Sequence, residues 1–411
     1  MALRIGFTTN ALWSNTGYGV QGSELVPQLK RDGHLVAIMA NYGLAGTTVE
    51  WNGVPMMGQG MDAYSNDLTP AQILWWLNQE PKLPGVGLSL YDVWVYKAPQ
   101  WDEIPMASWT PVDHAVVPPE VKAWFDRRGK GKWAIAMSQF GERELLEAGV
   151  ERERVFYAPH SFNPAIYKPT PSNIRKDLNI PDDAHLAMIQ AANKGVSPVR
   201  KSWGEQILAW STWAKDKKDA YLYLHTDIFG LANGVKIEQL LQACNAPMDR
   251  VRVVPQFEYR QGIPQEVMAR LYTASDILLH CSKGEGFGVS IIEGQACGLL
   301  PAVTEWTAMP ELVGAGWKVG GQVEYDPLQG GWWMTPNVKE IMDSLQQSYE
   351  LKQKPTELAE TKEKAMAFMK NYETNYVYEK HWRPILKQLE DEISKPVALN
   401  REQRRALEKR R

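Results

Sequence analysis

Short apolar runs bounded by turn residues recur along the chain and alternate with segments of helical period. Residues 3–8 read as a first strand, 10–18 as a loop, 20–32 as a helix and 35–39 as a second strand. This is the β-loop-α-β opening of a Rossmann-like domain. Apolar runs at 88–94, 108–114 and 133–137 continue the pattern, and the ends of the first two carry Asp92 and His114. A proline-rich stretch follows at 155–169. The pattern then restarts, with strands at 186–190, 221–226, 251–256, 276–280 and 300–304 and helical periodicity at 338–350, 354–370 and 377–392. Continuous apolar runs suit strands buried on both faces of a parallel sheet. A length of 411 residues is too great for one typical core, so two α/β domains are expected, with the hinge in the proline-rich stretch.

The segment from Cys281 to Gly298 carries the most specific chemistry. It follows a strand, passes through the turn Gly284-Glu285-Gly286-Phe287-Gly288, and enters a helix that ends at Gly298. Glycines let a backbone come close to a ligand, and N–H groups at a helix start attract phosphate. Glu285 and Glu293 stand eight positions apart, on the turn and in the helix. A carboxylate suits a ribose or sugar diol, because its two oxygens accept from both hydroxyls. The loop 191–202 contains Lys194, Arg200 and Lys201, cations able to stabilise a departing diphosphate. The first loop carries Gly17 and Gly19 but lacks the G-x-G-x-x-G spacing, which argues against a dinucleotide.

The pattern Glu-Gly-Phe-Gly-x-x-x-x-Glu at 285–293 resembles the Glu-x7-Glu signature of family-4 glycosyltransferases, which have the GT-B fold of two Rossmann-like domains around a cleft. Residues 155–169 resemble that family's "I-P-N-G-V-D-x-x-x-F-x-P" linker, with His160 and Ser161 where Asn and Gly usually stand, and Ser138 to Phe140 resemble its "S-x-F" segment. The resemblance covers residues 133–315 well and the N-terminal domain loosely. It implies that Glu285 contacts the transferred sugar, Glu293 binds the ribose, and the backbone of Phe287, Gly288 and Val289 meets sugar and diphosphate. Lys201 matches the family's diphosphate-clamping lysine, and either Lys194 or Arg200 fits the arginine beside it. Gly17 and Gly19 then face the donor, the strand ending at Gln256 meets the nucleobase and His114 approaches the transferred sugar. Asp92, at the carboxyl end of its strand, is a candidate to contact the acceptor, because ligands sit beyond such ends in open α/β sheets. The implied boundaries are 1–162 for an N-terminal Rossmann-like acceptor domain and 163–370 for a nucleotide-sugar domain. A helix at 371–395 returns to the first domain, and a basic tail occupies 396–411.

The resemblance implies retention, with front-face attack as the expected mechanism and a UDP-linked donor as the expected co-substrate. No D-x-D motif appears, so no metal is expected, and neither is any other cofactor. Hydrophobic residues at 44% and charged residues at 23% suit an ordinary soluble enzyme. A net charge of −3 makes the chain no polycation, so any nucleic-acid contact must come from local patches. No apolar run reaches membrane-spanning length and no signal-peptide segment stands at the N-terminus, so no stable membrane insertion is expected. Three cysteines without ligand or disulfide spacing suit a reducing cytoplasm. The "N-T-G-Y-G-V-Q" opening looks like glycosyltransferases encoded by bacteriophages, some of which modify hydroxymethylated pyrimidines in double-stranded DNA. That acceptor gives the basic cluster Lys122, Arg127, Arg128, Lys130 and Lys132 a purpose as phosphate contacts. Glycan, lipid or small-molecule acceptors, and a nucleotide-sugar epimerase, are the competing readings.

Overall fold

The computed structural model describes residues 2–195 and 199–395. The first sheet contains β1 (Arg4–Thr9), β2 (Leu35–Ala40), β3 (Thr48–Trp51), β4 (Val54–Met57), β5 (Gly85–Leu90), β6 (Met106–Thr110), β7 (Lys132–Ala136) and β8 (Val155–Tyr157), in the order β3-β4-β2-β1-β5-β6-β7-β8. All its neighbours are parallel except β3 and β4. The second contains β9 (His185–Gln190), β10 (Ala220–His225), β11 (Val251–Val253), β12 (Ile277–His280), β13 (Leu300–Thr304) and β14 (Trp317–Val319), ordered β11-β10-β9-β12-β13-β14 and wholly parallel. The central strands are buried along their whole length, as β1 and β12 illustrate, because helices cover both faces.

Strand order reverses beside β1 in the first sheet and beside β9 in the second. Loops leaving the carboxyl ends of strands diverge at such a reversal and leave a crevice. Across the crevice the loop after β6 meets the loops after β9 and β12, with Asp113 beside Arg200 and Pro111 against Gly286.

Two chain crossings join the domains. The segment after β8 runs alongside the returning chain: Phe162 N–H donates to Tyr372 O and Thr374 N–H donates to Phe162 O, both at 3.0 Å. The helix Arg383–Ser394 then packs Ile385, Leu386 and Leu389 back into the first domain's core.

Two strands end earlier than the apolar pattern suggests. The first stops at Leu90, where Asp92 opens a 3-10 turn over Val93–Val95. The second stops at Thr110, before Pro111, which has no N–H to donate to a ladder. A hairpin that the pattern did not reveal, β15 (Gly321–Asp326) with β16 (Gly331–Pro336), leaves the second domain and reaches the first. There Ala115 and Trp332 exchange two backbone hydrogen bonds, at 3.1 and 2.9 Å.

Candidate active site

The centre is built by two loops of the second domain. The loop after β9 ends in Arg200 and Lys201, just before the helix Trp203–Trp213, and the turn after β12 presents Glu285. Glu285 is only 6% exposed. Arg200 Nη1 donates to its Oε2 at 2.8 Å, Lys201 Nζ donates to Oε1, and His280 Nε2 stands 3.3 Å from that same oxygen. Its own N–H donates to Thr307 Oγ1 at 2.9 Å. Burial pushes the carboxyl up, but Arg200 and Lys201 outweigh it and hold Glu285 well below the usual range. Burial, then Arg200, pushes the Lys201 ammonium down to about 8.

Arg200 also spans the cleft, with Nε 3.6 Å from Asp113 Oδ2. Asp113 is raised by burial, yet His114 and Arg200 bring it below the ordinary value. Backbone strain gathers around these residues. Ser202 (φ 48°), Thr307 (φ 51°) and Val116 (φ 63°) all take left-handed conformations, two of them β-branched. Such conformations persist where surrounding contacts over-determine them.

The turn's glycines serve the domain contact. A Cβ on Gly284 would lie 2.1 Å from Asp113 O, and one on Gly286 would lie 2.4 Å from Pro111 Cβ. The expectation that these glycines admit a ligand is thus corrected for these two positions: Asp113 and Pro111 of the first domain fill that space. Gly288 (φ 116°) does need its missing side chain to start the helix Val289–Ala296. Val289 is half-buried there, and Phe287 is buried between His160 and Tyr372. Glu293, in the second turn of that helix, is 6% exposed and accepts from Tyr272 Oη at 3.0 Å and from the Tyr167 hydroxyl. Burial pushes it up to about 7.

Other expected residues fall as follows. Gly17 begins the helix Gly17–Arg31 and faces open space, whereas a Cβ on Gly19 would meet Ser14 O at 2.3 Å. Lys194 is exposed and Asp92 half-buried, close enough for Lys194 to act on the Asp92 carboxyl. The Gln256 side chain is spent on its own domain, donating to Thr226 O and Val254 O and accepting from Ile228 N–H.

Two expectations are corrected. His114 is 2% exposed, with Nδ1 2.8 Å from Asp113 Oδ1 and Nε2 3.1 Å from Asp326 Oδ2. Its ring stacks on Trp333. Both nitrogens are occupied, so it ties the hairpin to the first domain and has none left for a sugar. The basic cluster does not face the cleft. Arg127 pairs with Asp102 at 2.8 Å and donates to Tyr96 O and Ala98 O, Lys122 pairs with Asp126, and Lys132 is buried with Nζ donating to Ile104 O at 2.9 Å. Arg128 and Lys130 are exposed, but they precede β7 and so lie at the amino edge of the sheet, while Asp92 and Asp113 lie at the carboxyl edge. A five-residue strand separates those edges by roughly 17 Å. The basic residues after Asn400 lie outside the described residues.

Sequence reasoning missed His280, Thr307, Tyr167 and Tyr272. His280 had one available signal, its place at the carboxyl end of a buried strand immediately before the glycine turn. Among the described residues no three His, Cys, Asp or Glu side chains are grouped to hold a metal, and no helix is long and apolar enough to cross a membrane.

Residues 250–365, which contain Glu285 and Glu293, match the family model for glycosyl transferases group 1. A search of curated proteins gives no match. Solved structures resemble the chain over nearly its full length. A glycosyltransferase from Rickettsia africae is 17% identical, with a TM-score of 0.67, and the match covers 96% of this chain and 100% of that one. HepE from Anabaena, solved with UDP and glucose, is 17% identical at TM-score 0.66, covering 93% and 99%. Sucrose-phosphate synthase from Thermosynechococcus elongatus is 15% identical at TM-score 0.69, covering 94% and 99%. The fold is therefore GT-B: two Rossmann-like domains facing each other across a cleft.

Proposed function

We propose that the chain is a glycosyltransferase that moves a hexosyl group from a UDP-linked sugar to an acceptor hydroxyl, with retention at the anomeric carbon. The observation that carries this reading is the pairing of buried Glu285 with Arg200 and Lys201, where the β9 and β12 loops meet, inside and beside the segment that matches a glycosyltransferase family. Solved structures of this fold with UDP and glucose, or named as sucrose-phosphate synthase, support a nucleotide sugar as the donor.

Glu285 supplies the counter-charge that holds the two cations together. A diphosphate brought between them supplies the same charge, which leaves the Glu285 oxygens to accept hydrogen bonds from sugar hydroxyls. Glu293 accepts from the ribose diol. In the transfer, the acceptor oxygen bonds to the anomeric carbon as the bond from that carbon to the β-phosphate oxygen breaks on the same face. The acceptor's proton passes to the departing phosphate. Negative charge grows on that phosphate, and Arg200 and Lys201 are fixed in a water-poor site to stabilise it. No side chain becomes a covalent nucleophile.

The hydroxymethylated DNA acceptor expected from the sequence loses its physical support, because the basic cluster lies at the other edge of the sheet and is largely spent on internal pairs. The test is to incubate the protein with UDP-glucose, UDP-galactose and UDP-N-acetylglucosamine, with and without a panel of acceptors, and to follow UDP and sugar by NMR. Acceptor-dependent UDP release is expected. Conversion of one UDP-sugar into its epimer makes the chain an epimerase, and the absence of UDP binding rejects the reading.

A further inference from the structure

Asp92, at the carboxyl edge of the first sheet, has no side-chain partner among the described residues. Asp92 follows β5, at the reversal of the first sheet, and among the described residues it has no ion pair and no side-chain hydrogen bond to another residue. Burial, then Asp113, pushes its carboxyl up to about 6, and Arg200 and Lys194 act against that rise. Two of these are already committed: Arg200 to Glu285 and Asp113, and Asp113 to Arg200 and His114. Asp92 therefore stands at the carboxyl edge of the first sheet as a carboxylate that, among the described residues, accepts from no other residue.

Beside it stand two half-buried tyrosines, Tyr18 from the first helix and Tyr91 from the end of β5, with ring centroids 5.5 Å apart. Burial first, then Asp92, pushes both phenols up, Tyr91 to about 12. Both rings thus keep their protons and can donate as well as stack. An aromatic face meets the C–H face of a pyranose, and a carboxylate accepts from a hydroxyl. A phosphate or a uronic carboxylate placed here meets Asp92 head on, with the nearby guanidinium already paired.

We infer that the acceptor is an uncharged sugar, seated on the Tyr18–Tyr91 pair with its attacking hydroxyl donating to Asp92. This rests on the glycosyltransferase reading for the transfer itself, but the sugar seat stands on the first domain alone. Asp92 orients the hydroxyl and does not keep its proton, which leaves on the departing phosphate as described above.

The experiment has two arms. In the first, saturation-transfer NMR compares maltose, lactose and cellobiose with glucuronic acid and glucose 6-phosphate on the protein alone. Stronger transfer to the neutral sugars is expected, and it should fall in Asp92→Asn. In the second, the same acceptors and a duplex carrying 5-hydroxymethylcytosine are supplied with the three UDP-sugars. Losing a charge-assisted hydrogen bond should lower kcat/KM for a neutral sugar by about tenfold or more in Asp92→Asn, and Tyr91→Phe provides a milder, fold-neutral variant. Preference for the acidic sugars or the duplex, or neutral-sugar binding that Asp92→Asn leaves intact, overturns the inference. Neutral-sugar binding that depends on Asp92, in a protein that does not bind UDP, upholds the sugar seat and rejects the transferase reading instead.

Discussion

Glu293 and Lys201 each hold a charge that the interior disfavours. Burial lifts Glu293 from 4.5 to about 7, so between those values the folded chain binds a proton that the unfolded chain has released. Its contribution to stability is fully present below the ordinary value and is lost as pH rises through about 7. Glu293→Gln carries no such loss. It should gain on the wild type between about pH 5 and about pH 8 by on the order of 1–3 kcal/mol, read from urea melts at the two pH values. A gap that stays constant with pH means that Glu293 does not titrate in this window. Ribose hydroxyls favour the charged carboxylate, so Glu293→Ala should weaken UDP binding by roughly 1.5–3 kcal/mol in calorimetry. Lys201 works in the opposite sense. Its ammonium is held down to about 8, so turnover should decline as pH rises through about 8. Lys201→Ala should lower kcat more than it raises KM, because the charge it meets grows in the transition state. An altered KM with intact kcat would reduce it to a ground-state contact.

At the scale of elements, the turn after β12 is shaped as much by the opposing domain as by any ligand. Gly284→Ala puts a methyl group 2.1 Å from Asp113 O, a backbone atom that cannot rotate away. The two domains must separate to admit it. The variant should therefore have a larger radius of gyration by X-ray scattering and lose the Arg200–Asp113 contact, whereas Gly204→Ala, with nothing within 4 Å, should change neither. Equal scattering from the two variants would mean that the turn yields and the interface does not. This geometry also marks what the sequence made legible. β9 and β12 were readable because strands buried on both faces carry near-continuous apolar runs, and two α/β domains followed from that pattern, whereas the GT-B fold followed from the resemblance of residues 285–293 to the Glu-x7-Glu signature. The β3–β4 hairpin was readable too and was missed: Asn52-Gly53, both at positive φ, is the residue pair that a primed turn requires. The β15–β16 hairpin was not, since its purpose lies in Ala115 and His114, and Asp326 stands 212 positions from His114. The basic run at 122–132 misled for a related reason. Residues adjacent in sequence diverge in space, Lys132 turning inward with its strand and Arg127 folding back onto Asp102.

Across the whole molecule, one apolar cluster continues from the first sheet to the second. It runs from Phe7 and Leu88 through Trp109, Phe287 and Trp382 to Met188 and Leu278. Trp109 is the junction: its ring lies 4.4 Å from His160 of the linker and 4.8 Å from Trp382 of the returning chain. Charged contacts lie over the same crossing. Arg383 grips Asp32 through Nε and Nη2 at 2.8 and 2.9 Å, and Tyr378 Oη donates to the same carboxylate at 3.0 Å. Magnitudes decide which of the two holds the return. Arg383 is half exposed, and exposed ion pairs contribute about 0–1 kcal/mol. Trp382 is 2% exposed, and truncating a buried tryptophan costs about 3–5 kcal/mol. Trp382→Ala should therefore loosen the crossing far more than Asp32→Ala. Because the cluster is shared, the wild type should melt in one calorimetric transition, and Trp382→Ala should split it into two as each domain loses its hold on the other. Should Asp32→Ala split the transition while Trp382→Ala leaves it single, the crossing is held by its charges, and the continuity of the core does not couple the domains.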